Sequence, residues 1–184
     1  MKKLLVITLL IAACTVLSSC TGSERLTHMT IVQGLALDVE NQRIVATVQY
    51  LDLNKSSGKN EDISGNIISC ESADGMNIKS AIKNVGRKMP DALFFGQNKI
   101  IVISPEFEKL YGRDLREYLI KNKESRPDVY ILRSEDKAAD VVKNAHKNTR
   151  VPADSICRQL EKSHSEVTVS EYLAGDRLLT YTNS

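Results

Sequence analysis

The chain has no tryptophan and only three phenylalanines in 184 residues, so an aromatic platform for stacking sugars or bases is not expected. It has no Gly-x-Ser-x-Gly elbow, no His-Glu-x-x-His pair, no phosphate-cradling glycine loop and no clustered Cys/His set. The three histidines, His28, His146 and His164, are scattered through polar stretches and read as surface or capping residues. An enzyme therefore has no local motif to rest on. Charge of one sign is also lacking: the net formal charge is +2, and no polybasic tract offers a grip on nucleic acid or anionic lipid. The apolar run from Leu4 to Leu17 is fourteen residues, broken only by Thr8, Cys14 and Thr15. That falls short of the roughly 20 residues a helix needs to cross the hydrocarbon core.

What is present at the N-terminus is the layout of an export signal: Lys2-Lys3, the apolar run, then Leu17-Ser18-Ser19-Cys20. The last four residues resemble a bacterial lipobox, in which small residues fit the peptidase and a thiol forms the thioether to diacylglycerol. Ile11-Ala12-Ala13-Cys14 fits the same pattern, but cutting there would leave an apolar start through Leu17. The expectation is a signal over 1–19, a lipidated Cys20 with a polar tether over 20–27, and one domain over 28–184. Covalent diacylglycerol on Cys20 is the membrane anchor in this reading, and no other cofactor is expected. Two acyl chains hold a protein at a bilayer without electrostatic help. Once 1–19 are removed, 165 residues remain, with 23 basic and 23 acidic side chains. Only Cys70 and Cys157 then lie in the folded body, either as a pair or as two buried thiols.

Along the mature chain, strand and helix periods alternate. Ile31, Leu35 and Leu37 share one face of an extended segment, with Gln33 on the same side. Ile44, Ala46, Val48 and Tyr50 alternate in the next, and Glu40-Asn41-Gln42 between them predicts a hairpin. A solvated loop over Asn54–Asn60 precedes a third strand at Ile67, Ile68 and Cys70, and Asp74-Gly75 breaks the chain. Ile78, Ala81, Ile82, Val85 and Met89 form a helical stripe limited by Pro90. Ala92–Phe95 and Lys99–Ser104 read as buried strands around Gly96-Gln97-Asn98. A helix starting at Pro105 turns Phe107, Leu110, Tyr111, Leu115, Tyr118 and Leu119 inward. A strand over Asp128–Leu132, a short helix over Ala138–Ala145, another after Pro152 with Ile156 and Leu160, and a last strand over Glu166–Ser170 follow. The fold class is α/β or α+β, a single domain with a mixed sheet flanked by helices.

Two polar patches abut apolar structure. Gly96-Gln97-Asn98-Lys99 delivers directly into the strand at Ile100. A hairpin or bulge with the glycine at positive φ and the asparagine capping the turn accounts for it structurally. Lys121–Arg126 precedes the strand at Val129. There Glu124 and Arg126, two apart, share a side only if the segment is extended.

The order of these motifs resembles the Ger(x)C family, the lipoprotein C subunits of spore germinant receptors. The resemblance runs from the lipobox through Ile31–Asp38, similar to the family's first strand with its Gly and closing Asp, and through Ile44–Tyr50. It continues at Asp74-Gly75 with Ile78 and Ala81, and is closest over Leu93–Lys99 with Ile100–Ser104. Glu124 and Arg126 look like the family's Glu-x-Arg segment. Cys20 is followed by Thr21-Gly22 where the family usually has a tryptophan. Gln97 stands where a histidine is common, and Lys121-Asn122 where an Arg-Asp pair is. Full-length members are roughly twice as long. The resemblance implies a non-enzymatic subunit on the outer face of the membrane, in spores the inner membrane, acting with the integral-membrane A and B subunits. It also makes Gly96, Gln97, Asn98, Lys99, Glu124 and Arg126 the candidate partner interface. Two readings of other classes compete: a stand-alone ligand-binding lipoprotein, needing an apolar pocket with convergent polar groups, and an extracytoplasmic hydrolase, needing a nucleophile and base brought together by folding.

Overall fold

Strand β1 (Met29–Glu40) is buried along nearly its whole length, as a near-continuous apolar run requires when both sheet faces are covered. The computed structural model that shows this describes residues 29–52, 68–122, 124–143, 151–175 and 178–181. The export signal, Cys20, the tether, His28, the Asn54–Asn60 loop and His146 lie outside them.

β2 (Arg43–Leu51) returns antiparallel to β1 through Asn41-Gln42, both at positive φ (50° and 61°). This is the two-residue turn whose twist matches that of the flanking strands. The pairing slips between Val32 and Gly34. The slip inverts the side-chain alternation, so Val32, not Ile31, joins Leu35 and Leu37 in one core. β3 (Ile68–Gly75) pairs antiparallel with β2 from Leu51↔Ile68 to Ile44↔Gly75. Asp74-Gly75 is thus the end of a strand, and the chain breaks one residue later. Helix α1 (Ile78–Gly86) folds back so closely that a Cβ on Gly75 would lie 2.3 Å from the Ala81 nitrogen. A reciprocal capping box between Asn77 and Ser80 starts the helix. Ile78, Ala81 and Val85 are buried, and Met89 lies past the helix end.

β4 (Ala92–Phe94) and β5 (Ile100–Ile103) both run parallel to β1, against Met29–Ile31 and Gly34–Leu37 respectively. The turn between them is therefore an offset within one direction of travel, not a hairpin. Ser104 caps α2 (Pro105–Lys121), accepting from the Phe107 N–H at 3.3 Å, with Pro105 at the first helical position. Phe107, Leu115 and Leu119 are buried; Leu110, on the other flank of Phe107, is 54% exposed and not an inner residue. β6 (Tyr130–Ser134) runs parallel to β5, and α3 (Ala138–Lys143), α4 (Pro152–Ser163) and α5 (Val169–Ala174) follow. A strand was expected over Glu166–Ser170. Instead Thr168 and Glu171 form a capping box that starts α5, and only an isolated bridge from Thr168 to Tyr130 is strand-like. The last strand is β7 (Thr180–Tyr181), parallel to β6.

Among the described residues the result is an α+β domain: a mixed seven-stranded sheet, ordered β3-β2-β1-β5-β6-β7 with β4 against β1, and five helices. Helices α1, α2 and α5 pack on one face, around Leu35, Leu37, Ile101, Ile103 and Phe107. Helices α3 and α4 pack on the other, around Ala36, Ile100, Val102 and Leu132. No helix among the described residues is long and apolar enough to cross a membrane.

Two buried polar side chains fasten α3 and α4 to the sheet. Asp38 accepts from the Ala138 and Ala139 N–H groups at 2.8 and 2.9 Å, capping α3 from a remote strand. Gln49, fully buried, donates to the Val142 carbonyl at the end of α3 and accepts from the Ala153 N–H at 3.3 Å. The latter bond serves the start of α4, where Val151 offers no capping side chain. Cys70 and Cys157 are both thiols, each 3.9 Å from a carbonyl oxygen, of Val142 and Lys99 respectively.

Candidate partner interface

The chain between β4 and β5 turns at Gly96-Gln97, closed by the Asn98 N–H donating to the Phe95 carbonyl at 2.9 Å. Gly96 does not take a positive φ. Its requirement is steric, because an added Cβ would lie 2.3 Å from Cζ of the Phe94 ring. Gln97 is exposed at the tip, while Asn98 is turned inward and is only 6% exposed.

The second patch follows α2. Asn122 organises the helix exit: its N–H donates to the Tyr118 carbonyl at 2.8 Å, and its side chain donates to the Tyr118 hydroxyl oxygen at 3.1 Å. Its amide oxygen accepts from the Glu124 N–H at 3.2 Å. Beyond it the chain turns, the Ser125 N–H donating to the Asn122 carbonyl at 3.0 Å, and Arg126 pairs with Asp128 two residues on, Nε to Oδ1 at 3.0 Å with a second bond from Nη2. The bond from Arg126 holds the Asp128 carboxyl below the usual carboxylate range and raises the guanidinium in turn. Both groups are exposed, so the pair contributes little to stability.

These two patches meet. Arg126 Nη1 donates to the Gly96 carbonyl at 3.1 Å, across thirty residues of chain. Asn98, Tyr118, Asn122, Glu124 and Arg126, with Phe95 beside them, line one crevice. Lys99 does not join them. It forms an ion pair with Asp154 on α4, on the side of the sheet where Ile100 packs. The six candidate residues thus divide into a cluster of Gly96, Asn98, Glu124 and Arg126, an exposed tip at Gln97, and Lys99 on the far face.

The crevice carries an imbalance of hydrogen-bonding groups. Asn98 Oδ1 is buried without a partner. Burial, and secondly the nearby Glu124 carboxylate, push the Tyr118 phenol up to about 12. Glu124 forms no ion pair among the described residues. No group of three His, Cys, Asp or Glu side chains among the described residues is placed to hold a metal ion. His164 takes a left-handed conformation (φ 49°) at the end of α4.

A second surface was not anticipated from sequence. Met76, Asn77, Lys79, Tyr111 and Asp114 line an open groove of about 480 Å³ between α1 and α2. Its signal was weak, because Met76 falls between a strand and a helix pattern and belongs to neither.

The motif order that suggested a family can now be set beside known proteins. The family model described as the spore germination protein N-terminal domain matches residues 22–174. This chain belongs to the Ger(x)C spore germination family. The match covers every element described above except β7, including both halves of the crevice. A curated Ger(x)C relative, spore germination protein KC of Bacillus subtilis (strain 168), is 23% identical over 171 residues. That alignment takes in 90% of this chain and 42% of the relative. The chain thus spans about two fifths of the length of the curated relative it matches. No solved structure matches it.

Proposed function

We propose that this Ger(x)C domain works as a non-enzymatic subunit of a spore germinant receptor, held at the outer face of the membrane by diacylglycerol on Cys20. The observation that carries the reading is the family match over residues 22–174. The N-terminal pattern Lys2-Lys3, Leu4–Leu17 and Leu17-Ser18-Ser19-Cys20 supports the anchor. In spores the membrane is the inner one, and the partners are the two integral-membrane subunits, A and B. The face presented to them is the Gly96/Asn98/Glu124/Arg126 cluster, where two segments far apart in sequence make one surface.

An affinity pull-down of the tagged protein from detergent-solubilised dormant-spore membranes tests this. Two multi-span subunits should be recovered in near-equal amounts, and fewer of both with Arg126→Ala, whose exposed side chain leaves the cores untouched. Good yield of the tagged protein with no multi-span partner would refute the receptor reading. Cys20→Ser should release the protein from the membrane fraction. Retention at wild-type level would refute the anchor alone.

A further inference from the structure

Resting on the lipid anchor proposed above, the distance from Cys20 to the first strand limits how the domain can sit on a bilayer. Cys20 and Met29, the first residue of β1, are nine residues apart. A chain of that length reaches at most about 30 Å when fully extended. A flexible coil of the same length averages about 17 Å from end to end. β1 runs for twelve residues. At about 3.3 Å per residue, its far end lies roughly 35 Å from Met29.

An inverted domain, with Glu40 against the membrane, would hold Met29 roughly 35 Å above the headgroups. That exceeds the full reach of nine residues and is about twice their average span as a coil. With Met29 toward the membrane, no stretching is needed.

β1 sets the direction of its neighbours. β4 and β5 run parallel to it and β6 parallel to β5, while β3 takes the same direction through two antiparallel steps. Ala92, exposed, is level with Met29. The Gly96 turn and the exit of α2 lie at this same end, just before β5 and β6 begin. The hairpin after Glu40, the start of α2 and the turn from β6 to α3 lie at the other.

Charge separates the two ends further. Asp38, Glu40, Glu106, Glu135 and Asp136 line an open pocket at the carboxyl end, and its one base, Lys137, is paired with Glu40. A surface of anionic headgroups carries a negative potential and repels such an end, which opposes lying flat as well as inversion. Near the crevice, Lys121 and Arg126 are mixed with Glu124 and Asp128, and no one sign prevails.

We infer that the domain stands on the bilayer with the amino ends of its parallel strands toward the lipid headgroups and its acidic carboxyl end toward the aqueous side. The Gly96 turn and the Asn98 crevice then face the membrane, and a subunit embedded in that membrane meets them first.

The lipidated full chain is bound to vesicles of phosphatidylethanolamine and phosphatidylglycerol in which some headgroups carry a nitroxide quencher. A fluorophore is attached through Ala92→Cys or through Glu135→Cys, both exposed positions, in a Cys70→Ser chain; Cys157 is buried and stays unlabelled. The dye at position 92 should lose most of its emission, and the dye at position 135 should keep it. Equal quenching, or stronger quenching at 135, would overturn the orientation. Inserting about twenty Gly/Ser residues after Thr21 adds roughly 70 Å of extended reach and should narrow the difference. A difference left undiminished would overturn the tether as its cause. Flotation of the vesicles reads the anchor separately. A chain that does not float with them would refute the lipid on Cys20, whereas one that floats and is quenched equally at both positions would refute the orientation alone.

Discussion

Asp38 provides the sharpest test of how the sheet holds its helices. Asp38→Ala removes both acceptors from the start of α3 and leaves the Ala138 and Ala139 N–H groups buried and unmatched. Each such donor costs about 1–3 kcal/mol. Part of that is offset, because the carboxylate no longer has to be desolvated; burial is the leading reason its pKa lies above the ordinary 3.8. The net loss should be about 2–3 kcal/mol, read as a lower midpoint in urea unfolding with an unchanged slope. Asp38→Asn keeps one acceptor and should lose about half as much, about 1 kcal/mol. The pH dependence has a definite sign. A carboxyl whose pKa is raised by folding contributes stability that is complete below 3.8 and is lost as pH rises through the folded value. The wild-type advantage over Asp38→Asn should therefore shrink from pH 3.8 upward. A gap that widens with pH would mean that the two N–H bonds outweigh burial in setting the Asp38 pKa, whereas an Asp38→Ala variant within 0.5 kcal/mol (about the noise of surface changes) of wild type would refute the capping account.

Other changes probe separate elements. Gln42→Gly should raise stability by about 1 kcal/mol, because Gln42 sits at φ 61° where a side chain is strained; a lower unfolding midpoint would contradict the turn geometry. Gly96→Ala should cost about 1–3 kcal/mol as Phe94 is displaced, and Phe94→Leu in the same chain should recover part of it. Thr168→Ala should lower stability by about 1 kcal/mol through loss of the α5 capping box, measured by thermal unfolding. Burial pushes the Cys157 thiol up to about 12, so at pH 8 it should resist a thiol reagent in the native protein and react at once in urea; rapid native labelling, located by peptide mapping, would contradict its burial.

How much of this could be read from residues alone depended on whether a signal was local. The α1 stripe at Ile78, Ala81 and Val85 and the Pro105 start of α2 follow from side-chain spacing and from one proline, and both appear as expected. The Asn41-Gln42 hairpin was equally legible. The expected strand over Glu166–Ser170 failed because Val167 and Val169 alternate like a strand, whereas Thr168 and Glu171 are spaced to cap a helix. The cap outweighed the alternation. The face of Ile31 was misread because a one-residue slip in pairing reverses every side chain before it, and no residue type announces the slip. Gly96 and Arg126 could be named from sequence, but their contact could not, since it depends on how β4, β5 and the exit of α2 converge. Asp38 and Gln49 sit inside apolar strands, where a polar residue can be seen; the helix ends they serve are about 90 to 100 residues away.

The two ends of the parallel strands differ in a way that bears on where a ligand group can enter. In open sheets with parallel strands, ligands usually bind beyond the carboxyl ends. Here several polar groups at that end are engaged by the chain itself. Asp38 gives both oxygens to α3, Glu40 pairs with Lys137, and Ser104 caps α2. The Ser134 hydroxyl lies within hydrogen-bond distance of two carbonyls, of Ile103 and Asp136. Glu106, Glu135 and Asp136 line an open pocket of about 300 Å³ there together with Asp38 and Glu40, whose carboxylates are bonded within this chain. The Asn98 crevice lies at the opposite end, just before β5 and β6 begin. Among the described residues an acceptor is buried there without a donor, the Glu124 carboxylate forms no ion pair, and the nearby guanidinium is engaged by its own loop. A surface whose polar groups are all satisfied gains little from a partner, whereas a buried unmatched oxygen gains a hydrogen bond from any donor that reaches it. By that reasoning the amino end of the strands is one place where this domain has free energy to gain on association.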